Sequence, residues 1–454
     1  MTTTPARTVE DERLPMLLGF QRVSENTASA TRFIEYGRGI YVYDTDGREY
    51  IEATASFYVA ALGYQNAELI DAIERQYREL PFFVSALHRT SRASLDLAEK
   101  LVKLVPVRDA HILFGSTGSE AIDFLIKLLR FGAIARGEPK RTTIIGRHGS
   151  YHGGTLASAS LTGGHHEEFG LPIAGFRHVA QPDYHGERQA GESEGEFCLR
   201  LARELEALIA REPADSIAAF FCEPISFSAG FKVPPADYFP AISRVLEARG
   251  IALVADEVVT GCGRTGQWWG SQTFGLTPAH ATMAKGITSG YFPLSAIAIG
   301  SDLYRDLERG SERVGTLAHA GTYAAHPVGA AAALKTLEII ERDGLVAHAA
   351  RMGERLANGL QAYAGHPLVG EVRSAGLAGC LDFLRRDSDD KPVNDDADAV
   401  LTRVYTKLLE RGVVARPAGR SLILAPPLIV QADEIDEICR RTGLALDDAL
   451  VPTG

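Results

Sequence analysis

From about residue 92 onward, short apolar runs alternate with stretches of helical spacing. HILFG (111–115), TTIIG (142–146), AAFFC (218–222), IALVA (251–255), TMA (282–284) and LSAIAIG (294–300) are compact runs with little internal alternation. Strands of a parallel sheet covered on both faces read this way. Between them SLDLAEKLVKLV (94–105), SEAIDFLIKLLRFGAIA (119–135) and FPAISRVLEARG (239–250) carry helical patterns. In the second of these, Ile122, Leu125 and Leu129 share one face and Phe124 and Leu128 adjoin it. Strand, crossover helix, strand predicts an α/β domain with a mostly parallel sheet.

The two ends read differently. Residues 1–30 start polar and are expected to be loosely held until they meet a partner surface. GIYVYDTDGREYIEA (39–53) places two β-rich runs around Asp44-Thr45-Asp46-Gly47, a hairpin signal, and AELIDAIERQYREL (67–80) is helical. After HAGTYAAHPVG (319–329) come two helical stretches, 330–344 and 349–363. Beyond 367 the strand-like pieces EVRSAG, GCLDFL and SLILAPPL and closing helices predict a smaller α+β domain, with 387–399 an exposed loop. The expected division is a large domain of residues 66–330 and a small domain built from both termini, 1–65 and 331–454.

Composition narrows the class. With 454 residues, 45% apolar and 23% charged, this is an ordinary globular chain with room for a sizeable core. A net charge of −11 argues against nucleic acid or an anionic membrane as the main partner. Five scattered cysteines without a C-x-x-C pair indicate a reducing compartment. No apolar run approaches the roughly 20 residues of a membrane helix, and MTTTPARTVEDERLP lacks the apolar core of a signal peptide. A cytoplasmic location is expected.

Within ATMAKGITSGYFPLSA (281–296), Lys285 is the one charged side chain. A lysine at a strand end whose amine reaches water explains it blandly. The alternative is a desolvated, carbonyl-reactive amine. Three other stretches bear on the choice. FGSTGSEA (114–121) is a strand end, a turn of small residues and a helix start, either a capped connection or a phosphate cradle. IALVADEVVTG (251–261) delivers Asp256 and Glu257 to a strand's C-terminal end, where open α/β sheets bind ligands and where loop caps also sit. GCGRTG (261–266) matches G-x-G-x-x-G, but the following QWWGSQTFG is not helical, so a dinucleotide site is not expected. The 13 histidines, including His148, His152 and the His165-His166 pair, show no metal-ligand spacing, and no G-x-S-x-G elbow occurs. A phosphate-ready turn, a strand-end acid and a lone lysine together suit pyridoxal phosphate, a phosphorylated carbonyl compound with a cationic ring.

With those residues assembled, the chain resembles the class III (fold type I) pyridoxal-phosphate-dependent aminotransferases, nearest the ω-amino acid and amine:pyruvate type. The motifs TGSEA, SYHGGT, CEP, VADEVVTGCGRTG, AKGITSGYFPLSA and HAGTYAAHP occur in the family's order. The resemblance implies Lys285 as the Schiff-base lysine and Asp256 as the partner of the pyridinium nitrogen. It implies Gly118 and Ser119 at the phosphate, Tyr151 and Val258 on opposite ring faces, and Glu223 near the phenolic side. Thr322 would reach the phosphate of a neighbouring subunit, which implies a homodimer with shared sites, or a tetramer of such dimers. Arg416 would bind a substrate carboxylate and swing aside for uncharged amines. The implied reaction moves an amino group from an amine donor to a keto acid acceptor such as pyruvate in a ping-pong cycle.

The chain departs from the pattern around the substrate. Ser56-Phe57-Tyr58 stands where relatives have G-L-W, Ala86 where they often have an aromatic residue, and Ser226 where they often have glutamine. Phe57, Tyr58, Ala86 and Arg416 are the expected substrate contacts. Lys285 and Asp256 would equally serve an aminomutase, racemase or decarboxylase on the same fold. A non-catalytic relative and a nicotinamide-dependent oxidoreductase resting on GCGRTG fit less well.

Overall fold

The computed structural model describes residues 13–164, 166–387, 391, 393 and 396–450. Residues 1–12, His165 and parts of the 387–399 loop therefore lie outside the described residues. An N-terminal antiparallel unit comprises β1 (Ile34–Arg38), β2 (Tyr41–Asp44) and β3 (Glu49–Glu52). The hairpin forms where Asp44 and Gly47 predicted it, closed by Gly47 N–H donating to the Asp44 carbonyl at 2.9 Å.

The central sheet contains β4 (His111–Gly115), β5 (Thr143–Arg147), β6 (Phe176–Val179), β7 (Ile217–Cys222), β8 (Ala252–Asp256), β9 (His280–Met283) and β10 (Ser295–Ile299). Their order across the sheet is β4-β10-β9-β8-β7-β5-β6. Only β10 runs antiparallel, against both β4 and β9. Each of β5, β7, β9 and β10 is buried at every position, which explains the unbroken apolar runs: helices cover both faces. The strand β6 and the helix Glu194–Arg211 that follows it complete the pattern where the polar spacing gave no clear element.

The rest of the chain forms β11 (Glu371–Ser374), β12 (Gly379–Asp382), β13 (Val413–Val414), β14 (Arg416–Ala418) and β15 (Ser421–Leu424). Strands β11, β12, β15 and β14 make an antiparallel sheet. Strand β13 instead pairs in parallel with β3, Val413 with Ile51 and Val414 with Glu52, so one sheet joins the two ends of the chain. No helix among the described residues is long and apolar enough to cross a membrane.

Candidate active site

Every parallel strand of the central sheet ends on the same edge, and the loops leaving β4, β5, β7, β8 and β9 carry Gly118 and Ser119, Tyr151 and His152, Glu223, Asp256, and Lys285 respectively. That edge is where ligands sit in open α/β sheets. A cavity of about 1040 Å³ lies at the opposite edge, beside Ala252 and His280 where β8 and β9 begin. Its arginines include Arg136 and Arg309, both paired with Asp306. The chemistry is at the other end.

The helix Gly118–Ala135 opens where a phosphate reading requires it, capped by Thr117, whose hydroxyl accepts from the Glu120 N–H at 3.1 Å. The Gly118 and Ser119 N–H groups have no acceptor among the described residues, so the positive end of the helix faces open space. A Cβ on Gly118 would lie 3.4 Å from both Val258 methyls and 3.8 Å from Ala284, so glycine keeps that space clear. The Ser119 hydroxyl is partly committed to the chain itself, accepting from Gly154 N–H at 3.0 Å.

Asp256 and Glu257, equivalent in the sequence, separate completely. Glu257 turns away and caps the short helix Gly270–Thr273, accepting from Gly270 N–H, Ser271 N–H and the Ser271 and Thr260 hydroxyls. Asp256 turns to the site. One oxygen lies 2.7 Å from His152 Nδ1, and the other accepts from Val258 N–H at 3.1 Å and the Thr282 hydroxyl at 3.3 Å. His152 is a functional neighbour that its sequence context did not single out. It lies in SYHGGT, and its place next to Tyr151 was the available signal.

Lys285 adopts a left-handed backbone conformation, φ +48°, at the start of the turn after β9. Non-glycine residues pay for that conformation and it clusters at functional sites. Its amine makes no hydrogen bond among the described residues and sits 5.8 Å from the Tyr58 ring centroid. Desolvation pulls its pKa down to about 8, with Asp256 pushing it up and Arg416 pushing it down. The amine is therefore half neutral near pH 8 rather than near 10.5. Cofactor capture by cofactor-free protein, followed by the growth of visible absorbance, should rise with a midpoint near pH 8 and level off above it. Asp256→Asn should move that midpoint down and Arg416→Leu should move it up; a rate still climbing at the ordinary lysine value would refute a depressed amine.

Glu223, just beyond β7, accepts from the Ser226 hydroxyl at 2.7 Å and from Tyr151 N–H at 3.4 Å. Arg147 lies 3.7 Å from the same carboxylate and also donates to the Glu223 carbonyl and the Ser226 hydroxyl. Ser226, the shorter replacement for glutamine, thus belongs to a buried network that locks Glu223 and the Tyr151 loop together.

Around Arg416 the structure shows what the sequence hid. Ala55, Ser56, Phe57 and Tyr58 all have positive φ, 49°, 49°, 57° and 70°, making a turn of left-handed helix without a glycine. Such a conformation costs on the order of 1–2 kcal/mol per residue. Here Glu52 offsets part of it by accepting from Ser56 N–H and the Thr54 hydroxyl. The turn brings Phe57 and Tyr58 to Arg416, whose Cζ lies 4.3 Å and 5.7 Å from their ring centroids.

Ala86 and Thr322 are not among the groups gathered at Lys285. Their segments meet each other on an exposed face, where Phe82 packs against Tyr323 and His326. Gly321, next to Thr322, lies against Glu120 and Phe124 on the first turns of the helix that begins at Gly118. The GCGRTG loop has its other job: Arg264 donates to the Leu377 and Pro426 carbonyls and so ties the loop after β8 to segments flanking β12 and β15.

Unpaired helix N–H groups beside a glycine, a buried acid held by hydrogen bonds and a desolvated amine fit the phosphate, ring nitrogen and carbonyl of pyridoxal phosphate. The family profile described as Aminotransferase class-III matches residues 23–446. Putrescine–pyruvate aminotransferase of Pseudomonas aeruginosa is 34% identical over 441 residues, covering 96% of this chain and 94% of its own. Diaminobutyrate–2-oxoglutarate transaminase of Halomonas elongata is 37% identical over 433 residues, 93% and 92% of the two chains. Among solved structures, the ω-transaminase of Pseudomonas jessenii in complex with PMP superposes with a TM-score of 0.93 at 40% identity over 96% of each chain. The chain belongs to the class III aminotransferases. It is an aminotransferase of the fold type I architecture and uses pyridoxal phosphate.

Proposed function

We propose that this aminotransferase takes the amino group of an amine or ω-amino acid and gives it to a keto acid such as pyruvate in two alternating half-reactions. The observation that carries the reading is the Lys285 amine, desolvated and without a hydrogen-bond partner, in charge contact with Asp256 and the Arg416 guanidinium. The names of the relatives, one acting on putrescine and pyruvate, support the same substrate classes.

Pyridoxal phosphate supplies a carbonyl that condenses with amines and a ring that accepts the electron pair left when a neighbouring C–H bond breaks. Asp256, fixed by His152, Val258 N–H and Thr282, would hold a negative charge that keeps the ring nitrogen protonated. Gly118 and Ser119 would offer N–H donors to the phosphate, Tyr151 and Val258 would sit beside the ring, and Glu223 holds the Tyr151 loop. The Lys285 nitrogen, its pKa drawn down to about 8, would move the proton from the donor carbon to the cofactor's former carbonyl carbon on the far side of the shared nitrogen. Arg416 offers its N–H fork to the keto acid carboxylate.

Phe57 and Tyr58 line the substrate side. A homodimer in which the joined Ala86 and Thr322 surface completes the neighbouring site accounts for why those residues face outward. Scattered, buried and unpaired cysteines support action in the cytoplasm. If Ala86 enlarges the pocket, Ala86→Phe shifts the preference from bulky to small amines, read as a ratio of kcat/KM values. An unchanged ratio removes Ala86 from the pocket.

The visible spectrum of the purified protein tests the whole reading. A yellow band that bleaches with an amine and returns with pyruvate establishes both half-reactions. A band that never bleaches points to an isomerase or decarboxylase, and no band after incubation with pyridoxal phosphate overturns the assignment of Lys285.

A further inference from the structure

Arg416 is a cation without an anion. Among the described residues it has no ion pair and no hydrogen bond, and its Nε is buried and unpartnered. What it has is the Phe57 ring at 4.3 Å and the Tyr58 ring at 5.7 Å. Tyr58 is itself fixed from behind by Phe227, 4.6 Å between ring centroids, and is buried. Phe57 is 52% exposed and has no comparable packing role. Yet four consecutive residues are held in the left-handed region to present it.

The guanidinium also faces opposition. It is close enough to Lys285 for its charge to disfavour protonation of that amine, so the two cations repel across the pocket. Left alone, a long flexible arginine would turn its charge out to water. Its backbone, in contrast, is fixed. Arg416 and Ile423 are paired across the β14–β15 hairpin, and at the turn of that hairpin Arg420 donates to Asp382 at 2.9 Å and to Asp183 at 3.0 Å. Only the side chain is free to choose between the pocket and the solvent.

We propose that Phe57 is a positioning residue for Arg416, its ring holding the guanidinium inside the pocket so that the N–H edge awaits a substrate carboxylate. The proposal rests on the reading of Arg416 as the carboxylate-binding group. An aromatic platform suits the task better than an acid would. A ring attracts the cation without consuming its in-plane N–H donors. A carboxylate partner would occupy those donors, and every incoming keto acid would have to displace it. The attraction to a ring is also weak enough for the side chain to leave when an uncharged group must fit.

The test uses the holoenzyme and propionate, a carboxylate with neither amine nor ketone, titrated calorimetrically. Alongside it, kcat/KM is measured for pyruvate and for benzylamine, a donor without a carboxylate. Phe57→Ala is expected to weaken propionate binding about three- to thirty-fold and to lower the pyruvate-to-benzylamine ratio of kcat/KM by a similar factor. Phe57→Tyr, which keeps the ring face, should restore both. Arg416→Leu serves as the reference. If it weakens propionate binding and Phe57→Ala does not, the platform is refuted while the carboxylate reading stands. If Phe57→Ala lowers both kcat/KM values equally with propionate affinity unchanged, Phe57 is merely structural and the proposal fails. If Arg416→Leu leaves propionate binding unchanged, the carboxylate reading falls and takes the proposal with it.

Discussion

Lys285→Ala is expected to lower the rate of amine-to-pyruvate transfer by about 10⁴-fold or more, since it removes both a nucleophile and a proton carrier, the latter alone worth roughly 10²–10⁴. The loss should sit in the chemical step. On the proposed reading, cofactor recognition rests on other groups: the N–H donors at Gly118 and Ser119 and the Asp256 carboxylate. The variant should therefore still bind pyridoxamine phosphate. Its thermal midpoint should be unchanged or higher, because a desolvated amine is removed from a site where its charged form is disfavoured. A small primary amine added to the solution should recover part of the rate by taking over the proton transfer. Residual activity within tenfold of the original would mean that another group carries the proton, and the account of this site would fail.

Asp382→Asn is expected to have the largest effect on stability, about 3–5 kcal/mol, the usual consequence of breaking a buried ion pair from one side. Asp382, fully buried on β12, accepts from Arg373 at 3.0 Å, Arg420 at 2.9 Å and the Ser421 hydroxyl at 3.1 Å, with Lys232 at 3.5 Å. Lys232 also pairs with Asp183 at 2.8 Å. Asp183 and Lys232 lie far along the chain from the C-terminal sheet that carries Asp382 and Ser421, so the cluster clasps the two regions together. Substitution would leave buried Lys232 and the half-buried Arg373 and Arg420 with too little negative charge. By contrast the exposed pair Arg342–Glu68 at 2.7 Å is screened by water and contributes little.

The same cluster sets an acid limit. Burial by itself would raise the Asp382 pKa, but Arg373, Lys232 and Arg420 together hold it well below the ordinary carboxylate value of about 3.9. Its folded value is depressed, so its contribution is fully present above the unfolded pKa and is lost as pH falls through the folded one. Denaturant midpoints measured from neutral pH down into the acid range should therefore fall more steeply in the original protein than in Asp382→Asn. Parallel curves would show that the carboxylate is not held by its neighbours.

Much of this molecule was legible along the chain, and for identifiable reasons. HILFG became β4 residue for residue, because a short apolar run bounded by polar residues has few other places to go. The Lys285, Asp256 and Gly118 grouping was legible because each stands at the end of a strand, where side-chain type and local turn chemistry are read together. Asp256 and Glu257 were separable only through the family resemblance, since adjacent residues on one strand end point opposite ways and only the packing of Gly270–Thr273 shows which acid caps it. The direction of β10 was equally hidden, because an all-buried strand looks the same whether its neighbours run parallel or antiparallel.

The sequence by itself determined the periodicities, the order of strands and helices, and the residue types that a phosphorylated carbonyl cofactor demands, because these depend on neighbours within a few positions. The tertiary structure alone decided the rest. Ala55–Tyr58 contains no glycine, so nothing local announces a left-handed turn; Glu52 and the surrounding packing impose it. The Asp382 cluster joins residues 150 positions apart to Lys232, and Arg420 reaches Asp183 across 237. Charges so far apart in the chain acquire their partners, their shifted proton affinities and their stabilising value only when the fold removes them from water together.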